Sequence, residues 1–102
     1  MQILDFVLLL PEGPIKKVIA HQLIKSSTSS GANYRAACRA KSIADMINKF
    51  KIVEEELDES IYWLEIIDNK YNFLNPKIEL REANELLSII VASIKTLRNR
   101  KS

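Results

Sequence analysis

Apolar residues recur every seven positions from residue 43 to residue 71, and this repeat limits the segment to a helix. Its two rows are Ile43, Phe50, Leu57, Leu64 and Tyr71, and Met46, Val53, Ser60 and Ile67. Among these nine positions Ser60 alone is polar. A seam this regular predicts one long helix packed against other helices. Ser42 followed by Asp45 is typical of a capping box, with Asp in place of the usual Glu.

A second helix with the same repeat is predicted over residues 78–99. Its two rows are Leu80, Leu87 and Ile94, and Ala83, Ile90 and Leu97. Asn75 is expected to be the N-cap, and Pro76 suits the first turn because its fixed φ matches a helix. Together with the segments discussed below, these patterns predict an all-α chain of one domain, 1–102. Its helices are expected at about 2–10, 14–41, 43–72 and 78–99.

Residues 14–41 are harder to assign, because the run from Ser26 to Gly31 has low helix propensity and could form a loop. Against this, eight side chains through the segment, most of them small or apolar, project to one side at 100° per residue. They are Ile15, Ile19, Gln22, Ser26, Ser30, Asn33, Ala37 and Ala40. We favour one continuous helix whose small residues let a neighbouring helix approach closely. In such a helix Asn33 is a buried polar group that must find a hydrogen bond.

The helices predicted at 43–72 and 78–99 carry apolar residues outside their seams. These are Ile47, Ile61, Trp63 and Ile66 on the first, and Leu86, Ile89 and Val91 on the second. An apolar face left in water costs about 25 cal/mol per Å² and promotes aggregation. Either helices of the same chain cover these residues or a second subunit does. For a chain of 102 residues we favour a homo-oligomer.

Charge is segregated along the chain, although the net charge is only +2. Residues 14–51 contain eight basic residues and one acid, and residues 53–68 contain seven acids and no base. On a helix at 14–41, one set of basic side chains lies within about 80° and extends over about 33 Å. This basic row consists of Lys17, His21, Lys25, Arg35 and Arg39, and Lys41 follows it.

Two interpretations of the basic row stay open. A row about as long as one turn of duplex is suited to contact phosphates without reading sequence. Alternatively, Arg35 and Arg39 pair with Glu54, Asp58 and Glu65, within or between subunits, which requires no function.

The sequence lacks the residue combinations that catalysis or metal binding needs. His21 is the one histidine and Cys38 the one cysteine, and neither has a partner at ligand or catalytic spacing. We therefore expect no enzyme activity, no metal and no cofactor. The chain also has no apolar run of about twenty residues and no signal-peptide pattern. We expect a cytoplasmic protein without membrane contact.

Three segments resemble a known family. They are QLIKSSTSSGANYR at 22–35, EELDESIYWLE at 55–65 and EANEL at 82–86. Over about residues 16–100, in this order, the chain resembles small bacterial four-helix-bundle proteins first noticed as products of intervening sequences in 23S ribosomal RNA genes.

This resemblance implies an up-and-down four-helix bundle that assembles into a homopentameric barrel. The family includes accessory proteins of diversity-generating retroelements. Resemblance to these members implies a basic pentamer that binds nucleic acid and a reverse transcriptase. For most members the function is not known. By the same resemblance, Asn33, Asp58 and Glu59 are structural motif positions. Arg35 is either an ion-pair partner of the acids at 54–59 or a phosphate contact.

The sequence departs from the family pattern in two places. Ala36 and Ala37 stand where many members carry Glu and Gly, so any role of that carboxylate is absent. Only residues 2–10 precede Pro11, whereas the family's first helix is long. A short first helix is expected to expose a groove on the other three helices, through which the chain can assemble.

Taken together, these features predict a non-enzymatic, homo-oligomeric helical bundle, a pentamer by resemblance. It would bind RNA or DNA non-specifically through Lys17, Lys25, Arg35, Arg39 and Lys41. The alternative is a protein-interaction scaffold or accessory subunit without nucleic-acid binding. A reverse transcriptase or another element-encoded protein would then be its partner.

Overall fold

A computed structural model of the chain describes residues 3–71 and 73–101 and contains four helices. They are α1 (Ile3–Val7), α2 (Pro14–Cys38), α3 (Ile43–Lys70) and α4 (Lys77–Lys101). The helices pack in chain order, α1 on α2, α2 on α3 and α3 on α4, into a rod of 49 × 19 × 16 Å. This arrangement confirms the predicted all-α class with a short first helix. In the described parts of the chain, no helix combines the length and apolar character needed to cross a bilayer.

Helix α2 runs without a break through the serine-rich segment, as we favoured over a loop. The hydroxyls of that segment donate to carbonyls one turn back in the same helix. Thr28 Oγ1 lies 2.7 Å from the Ile24 carbonyl oxygen, and Ser30 Oγ lies 2.8 Å from that of Ser27. The polar side chains that would otherwise compete with the helix are therefore satisfied within it.

The contact between α2 and α3 is built around two small residues. Ser26 and Ser60 are buried, and their hydroxyl oxygens lie 2.7 Å apart. Ser60 also donates to the Glu56 carbonyl at 3.0 Å, so both hydroxyls are satisfied. This pair explains why the one polar position in the α3 seam is a serine, and it confirms the close approach expected from the small residues of α2.

The core consists of two clusters placed one after the other along the rod. The first contains Ile3, Phe6, Val7, Leu10, Ile19, Leu23, Leu64 and Ile67. The second contains Ala37, Ile47, Phe50, Val53, Leu57, Ile90, Ile94 and Leu97. Because α1 has only five residues, it contributes to the first cluster and not to the second. The second cluster is therefore built by α2, α3 and α4 alone.

The starts of α3 and α4 are close to the predicted positions. The Ser42 side chain accepts a hydrogen bond from the Asp45 amide at 3.1 Å, as expected for the cap. Asn75 also caps, accepting from the Lys77 amide at 3.2 Å. However, the Leu80 amide bonds to the Pro76 carbonyl, so α4 begins after Pro76 and Asn75 lies one residue further out than predicted.

Two helices end earlier than predicted. Helix α1 ends at Val7 and not at residue 10, because the Leu9 and Leu10 amides bond to carbonyls only three residues back. Helix α2 ends at Cys38 and not at residue 41, where the Arg39 and Ala40 amides form the same tighter turn. The predicted end of α3 at residue 72 lies outside the described residues.

Apolar residues at the helix starts and on α4 are more exposed than the seam patterns predict. Ile15 and Ile43 are 47% and 39% exposed, because each lies in the first turn of its helix at an end of the rod. Off the seams, Ile47 and Ile61 are buried by helices of the same chain. By contrast, Ile89 and Val91 are 59% and 46% exposed, and they line different cavities on two sides of α4.

Candidate nucleic-acid interface

The unbroken helix α2 keeps four residues of the basic row on one exposed side, and Arg39 follows directly as its C-cap. All five residues of the row are exposed, as are Thr28 and Ala32 between them, while the buried Ser26 lies on the opposite side. From Lys17 to Arg39 the row extends over about 33 Å at 1.5 Å per residue. Lys41 is also exposed, but it lies in the connection to α3, so the helix does not fix its direction.

The basic row is not neutralised by ion pairs with described residues. In this part of the chain the ion pair near the start of α2 joins Lys16 Nζ to Glu12 Oε1 at 2.6 Å, and Lys16 is outside the row. Neither Arg35 nor Arg39 makes an ion pair with any residue the structure describes. The predicted pairing with Glu54, Asp58 and Glu65 within one subunit is therefore not found there.

Acidic residues of α3 approach the middle of the basic row. Burial, and then the neighbouring Glu59, raise the pKa of the half-buried Glu56, while the charge of Lys25 acts in the opposite direction. Lys25 is thus close enough to Glu56 for its positive charge to interact with the Glu56 carboxylate. The middle of the row thus has a carboxylate of α3 nearby, whereas Arg35 and Arg39 make no ion pair with a described residue. The charge pattern along the sequence did not reveal this difference.

The motif positions implied by the resemblance have different surroundings. Asn33 is half-buried, and its Nδ2 donates to the Ser29 carbonyl at 2.9 Å and to the Ser29 hydroxyl at 3.3 Å. The hydrogen bond expected of Asn33 is thus made within α2 and does not bridge two helices. Asp58 and Glu59 are exposed on α3, so neither belongs to the packed core.

Near the Lys17 end of the row, an apolar cavity of about 360 Å³ opens between α2 and α3. It is lined by Ile15, Val18, Trp63 and Ile66, among others. The Nε1 atom of Trp63 is buried and has no hydrogen-bond partner among the described residues. Sequence reasoning identified Trp63 and Ile66 as apolar residues outside the seam, but it placed Ile15 in the core. Only the folded chain shows that the three share one surface.

The described residues do not form a metal centre. In residues 3–71 and 73–101, no group of three or more His, Cys, Asp and Glu side chains could hold a metal ion. Cys38 and His21 are both exposed.

Comparison with known proteins places the chain in a family. No family model and no curated protein matches it. A solved structure from Bacteroides thetaiotaomicron VPI-5482, described as a protein of unknown function from the S23 ribosomal protein family, does match. It shares 35% sequence identity and a TM-score of 0.70 over 76% of this chain and 74% of that chain. The chain therefore belongs to the S23 ribosomal protein family, the 23S rRNA intervening-sequence proteins that its segments at 22–35 and 55–65 resemble.

Proposed function

We propose that this protein is a non-enzymatic, homo-oligomeric assembly protein that binds RNA or DNA through the basic row of α2. The observation that carries this proposal is the exposure of the row along the unbroken helix α2 and its C-cap Arg39. Neither Arg35 nor Arg39 has an ion pair with a described residue. An exposed, aligned row of cations is the usual electrostatic footprint of a phosphate-binding surface.

Binding would occur through phosphates and not through base edges. Lys17, Lys25, Arg35, Arg39 and Lys41 would each displace a counterion from the nucleic-acid backbone, which supplies affinity without sequence preference. The guanidinium groups of Arg35 and Arg39 can each hold two phosphate oxygens, whereas the lysines act as point charges. The row is about as long as one helical turn of duplex, so its two ends can reach phosphates on successive turns.

Assembly would increase the affinity for nucleic acid, because each copy in the oligomer contributes its own basic row. One copy offers five candidate phosphate contacts, and several copies on one nucleic acid bind with a combined affinity far above that of one. Exposed apolar residues at Ile15, Val18, Ile89 and Val91 support contacts between copies. A homopentamer is the assembly that the family resemblance implies, and we include it in the proposal.

A second candidate function is a protein-interaction scaffold. The apolar cavity beside Trp63 favours it, since an apolar surface in a short chain suits a protein partner better than a phosphate backbone. The partner would be a reverse transcriptase or another element-encoded protein. Capture of such a partner that survives nuclease treatment would support this function. Capture that is lost with nuclease would support nucleic-acid binding.

The direct test of nucleic-acid binding is fluorescence anisotropy with a labelled duplex at 50 and 200 mM salt. Five phosphate contacts from one copy predict an affinity loss of about 500-fold between the two salt concentrations, and contacts from further copies would add to this loss. Affinity that is absent at 50 mM salt, or unchanged at 200 mM, would refute the proposal. Pairing of the cations between subunits is the competing explanation. It predicts no binding, together with an oligomer that dissociates as salt rises.

A further inference from the structure

Helix α1 and the turn after it are apolar on two sides. One side is buried in the first core cluster, through Ile3, Phe6 and Val7. The other side carries three leucines that are 57%, 73% and 61% exposed: Leu4, Leu8 and Leu9. We call these three residues the leucine face. Because a helix that is apolar on all sides is normally covered on all sides, the leucine face is a candidate contact surface.

The cavity between α2 and α3 has the complementary character. Its volume is about 360 Å³, and two of its lining residues, Ile15 and Val18, are 47% and 57% exposed. Lys70 also lines it, is exposed and makes no ion pair with any residue the structure describes. Trp63, a further lining residue, has a buried Nε1 donor without a described partner, and an unpaired buried donor costs free energy. The cavity thus combines apolar surface with a cation and an unsatisfied side chain.

The leucine face carries the opposite charge and lies at the same end of the rod as the cavity. Asp5 is exposed next to Leu4 in the chain, and it makes no ion pair with any residue the structure describes. Ile19, in the second turn of α2, lines the cavity and also packs with α1 in the first core cluster. Copies that stand side by side in the same direction would therefore bring the leucine face of one level with the cavity of the next.

We propose that the leucine face of one copy binds in the cavity between α2 and α3 of the next copy. Leu8 would pack beside the partner's Val18 and the partner's Trp63, and Asp5 would pair with the partner's Lys70. This contact is head-to-tail, because it joins two different surfaces of the chain. Head-to-tail contacts close into rings when the rotation from copy to copy allows, so this contact fits the homopentamer proposed above. The inference rests on that proposal and names one contact surface within it.

A second copy fits this cavity better than a different occupant. The chain itself carries both halves of the contact, an apolar projection with an acid and an apolar cavity with a base. A small apolar molecule in the cavity would leave the leucine face in water, whereas the head-to-tail contact removes both apolar surfaces from water together. The opposite charges would fix how the two copies are oriented. A cavity covered by the next copy is not open to the different protein considered above as a scaffold partner.

The test places a charge on either surface and reads out the particle mass by light scattering. Leu8→Glu disrupts the leucine face, and Val18→Glu disrupts the cavity. Because every head-to-tail contact uses one surface of each kind, each variant alone is expected to give single copies of 11.7 kDa. Ala32→Glu, at an exposed position of α2 about 21 Å from Val18, is the matched control and should keep the wild-type mass. Circular dichroism checks that every variant is as helical as wild type.

Mixing the two variants tests the head-to-tail pairing itself. Leu8→Glu keeps an intact cavity and Val18→Glu keeps an intact leucine face, so the mixture is expected to contain particles of two copies, one of each variant. Trp63 is the one tryptophan of the chain, so its fluorescence reports on the cavity directly. Its emission should move to shorter wavelength on mixing, because the leucine face of the other copy excludes water from it.

A charge exchange tests the same contact without placing a charge on apolar surface. Asp5→Lys is expected to weaken each contact by about two- to five-fold, the usual effect of an exposed ion pair. Adding Lys70→Asp to the same chain restores opposite charges and should recover the wild-type affinity. If it does not, the pairing of Asp5 with the partner's Lys70 is wrong.

The outcomes separate this inference from the wider proposal. A wild-type protein that is a single copy in solution would overturn both the assembly and the head-to-tail contact. An oligomer whose mass is unchanged in Leu8→Glu or in Val18→Glu would overturn the head-to-tail contact and leave the assembly standing. A mixture of these two variants that stays as single copies would overturn the head-to-tail contact as well.

Discussion

At the scale of single residues, Gly13 has a backbone that other residues adopt at a cost. Its φ is 143°, and it immediately precedes α2. A side chain there would meet no atom within 4 Å, so the cost comes from the backbone alone. We expect Gly13→Ala to lower the free energy of unfolding by about 1–3 kcal/mol, measured by thermal melting.

Gly31 provides the matched control for Gly13. It lies inside α2, its φ is not positive, and a Cβ would again meet nothing within 4 Å. Gly31→Ala should therefore stabilise the protein by about 0.5–1 kcal/mol, through the better helix propensity of alanine. Equal effects of the two substitutions would contradict the assigned backbone at Gly13.

The raised pKa of Glu56 predicts that the stability of the folded chain depends on pH. Burial and Glu59 raise its pKa above 4.5, so the folded chain binds this proton more tightly than the unfolded chain. The free energy of unfolding therefore falls as pH rises from 4.5 through the raised pKa. We expect Glu56→Gln to melt at a higher temperature than wild type at neutral pH, and the difference to vanish below about pH 4.

The control for Glu56 is Glu65→Gln, the same change at an exposed position of α3. It is expected to shift the melting temperature little at either pH. A Glu56→Gln variant that is less stable than wild type at neutral pH would show that the carboxylate is favourably paired in the folded chain.

At the scale of the helices, the serine pair between α2 and α3 decides how closely they pack. Ser60→Leu would complete the apolar seam of α3, but the larger side chain would collide with Ser26 and remove a buried hydrogen bond. We expect a loss of about 3 kcal/mol in the free energy of unfolding, measured by urea denaturation. Ser60→Ala, which only removes the hydroxyl, should cost about 1 kcal/mol.

A serine on another helix provides the control for Ser60. Ser88 is exposed on α4, where its hydroxyl bonds only to the Asn84 carbonyl. Ser88→Leu should change stability by no more than about 0.5 kcal/mol. If Ser60→Leu were as harmless as Ser88→Leu, the close contact of α2 and α3 would be wrong.

Sequence patterns predicted the helices better than their ends and outer faces. The seven-residue repeat located α3 and α4, and the aligned small residues correctly favoured a helix over a loop at 26–31. The patterns missed the ends of α1 and α2, because the tighter turns at Leu10 and Ala40 depend on backbone geometry that residue type does not fix. They also could not tell that Ile89 and Val91 both stay exposed beside cavities, because that depends on the positions of the neighbouring helices.

The candidate interface could be predicted from the sequence only where one helix fixes it. A regular helix fixes which of its own residues share a side, so the alignment of the basic row follows from spacing once α2 is continuous. The effect of Glu56 near Lys25 depends on how α3 lies against α2. The apolar cavity between Ile15 and Trp63 depends on it too. Neither can be read from one helix alone.

At the scale of the whole molecule, the short α1 makes this rod asymmetric. One half is closed by four helices, and the other leaves a groove beside Phe50 that three helices cannot close. The basic row lies along α2, whereas the groove lies along α3 and α4. The two are therefore separate surfaces of one chain, and separate variants can disrupt each of them.

The most direct test of the account is the salt dependence of duplex binding by a variant with a weakened basic row. The combined variant Arg35→Gln and Arg39→Gln removes two phosphate contacts. The slope of log affinity against log salt should therefore become shallower by about 1.8 for each copy that contacts the duplex. Lys51→Gln with Arg81→Gln removes the same charge from exposed positions of α3 and α4 and should leave the slope unchanged. If both variants change the slope equally, or neither does, the basic row of α2 is not the surface that binds nucleic acid.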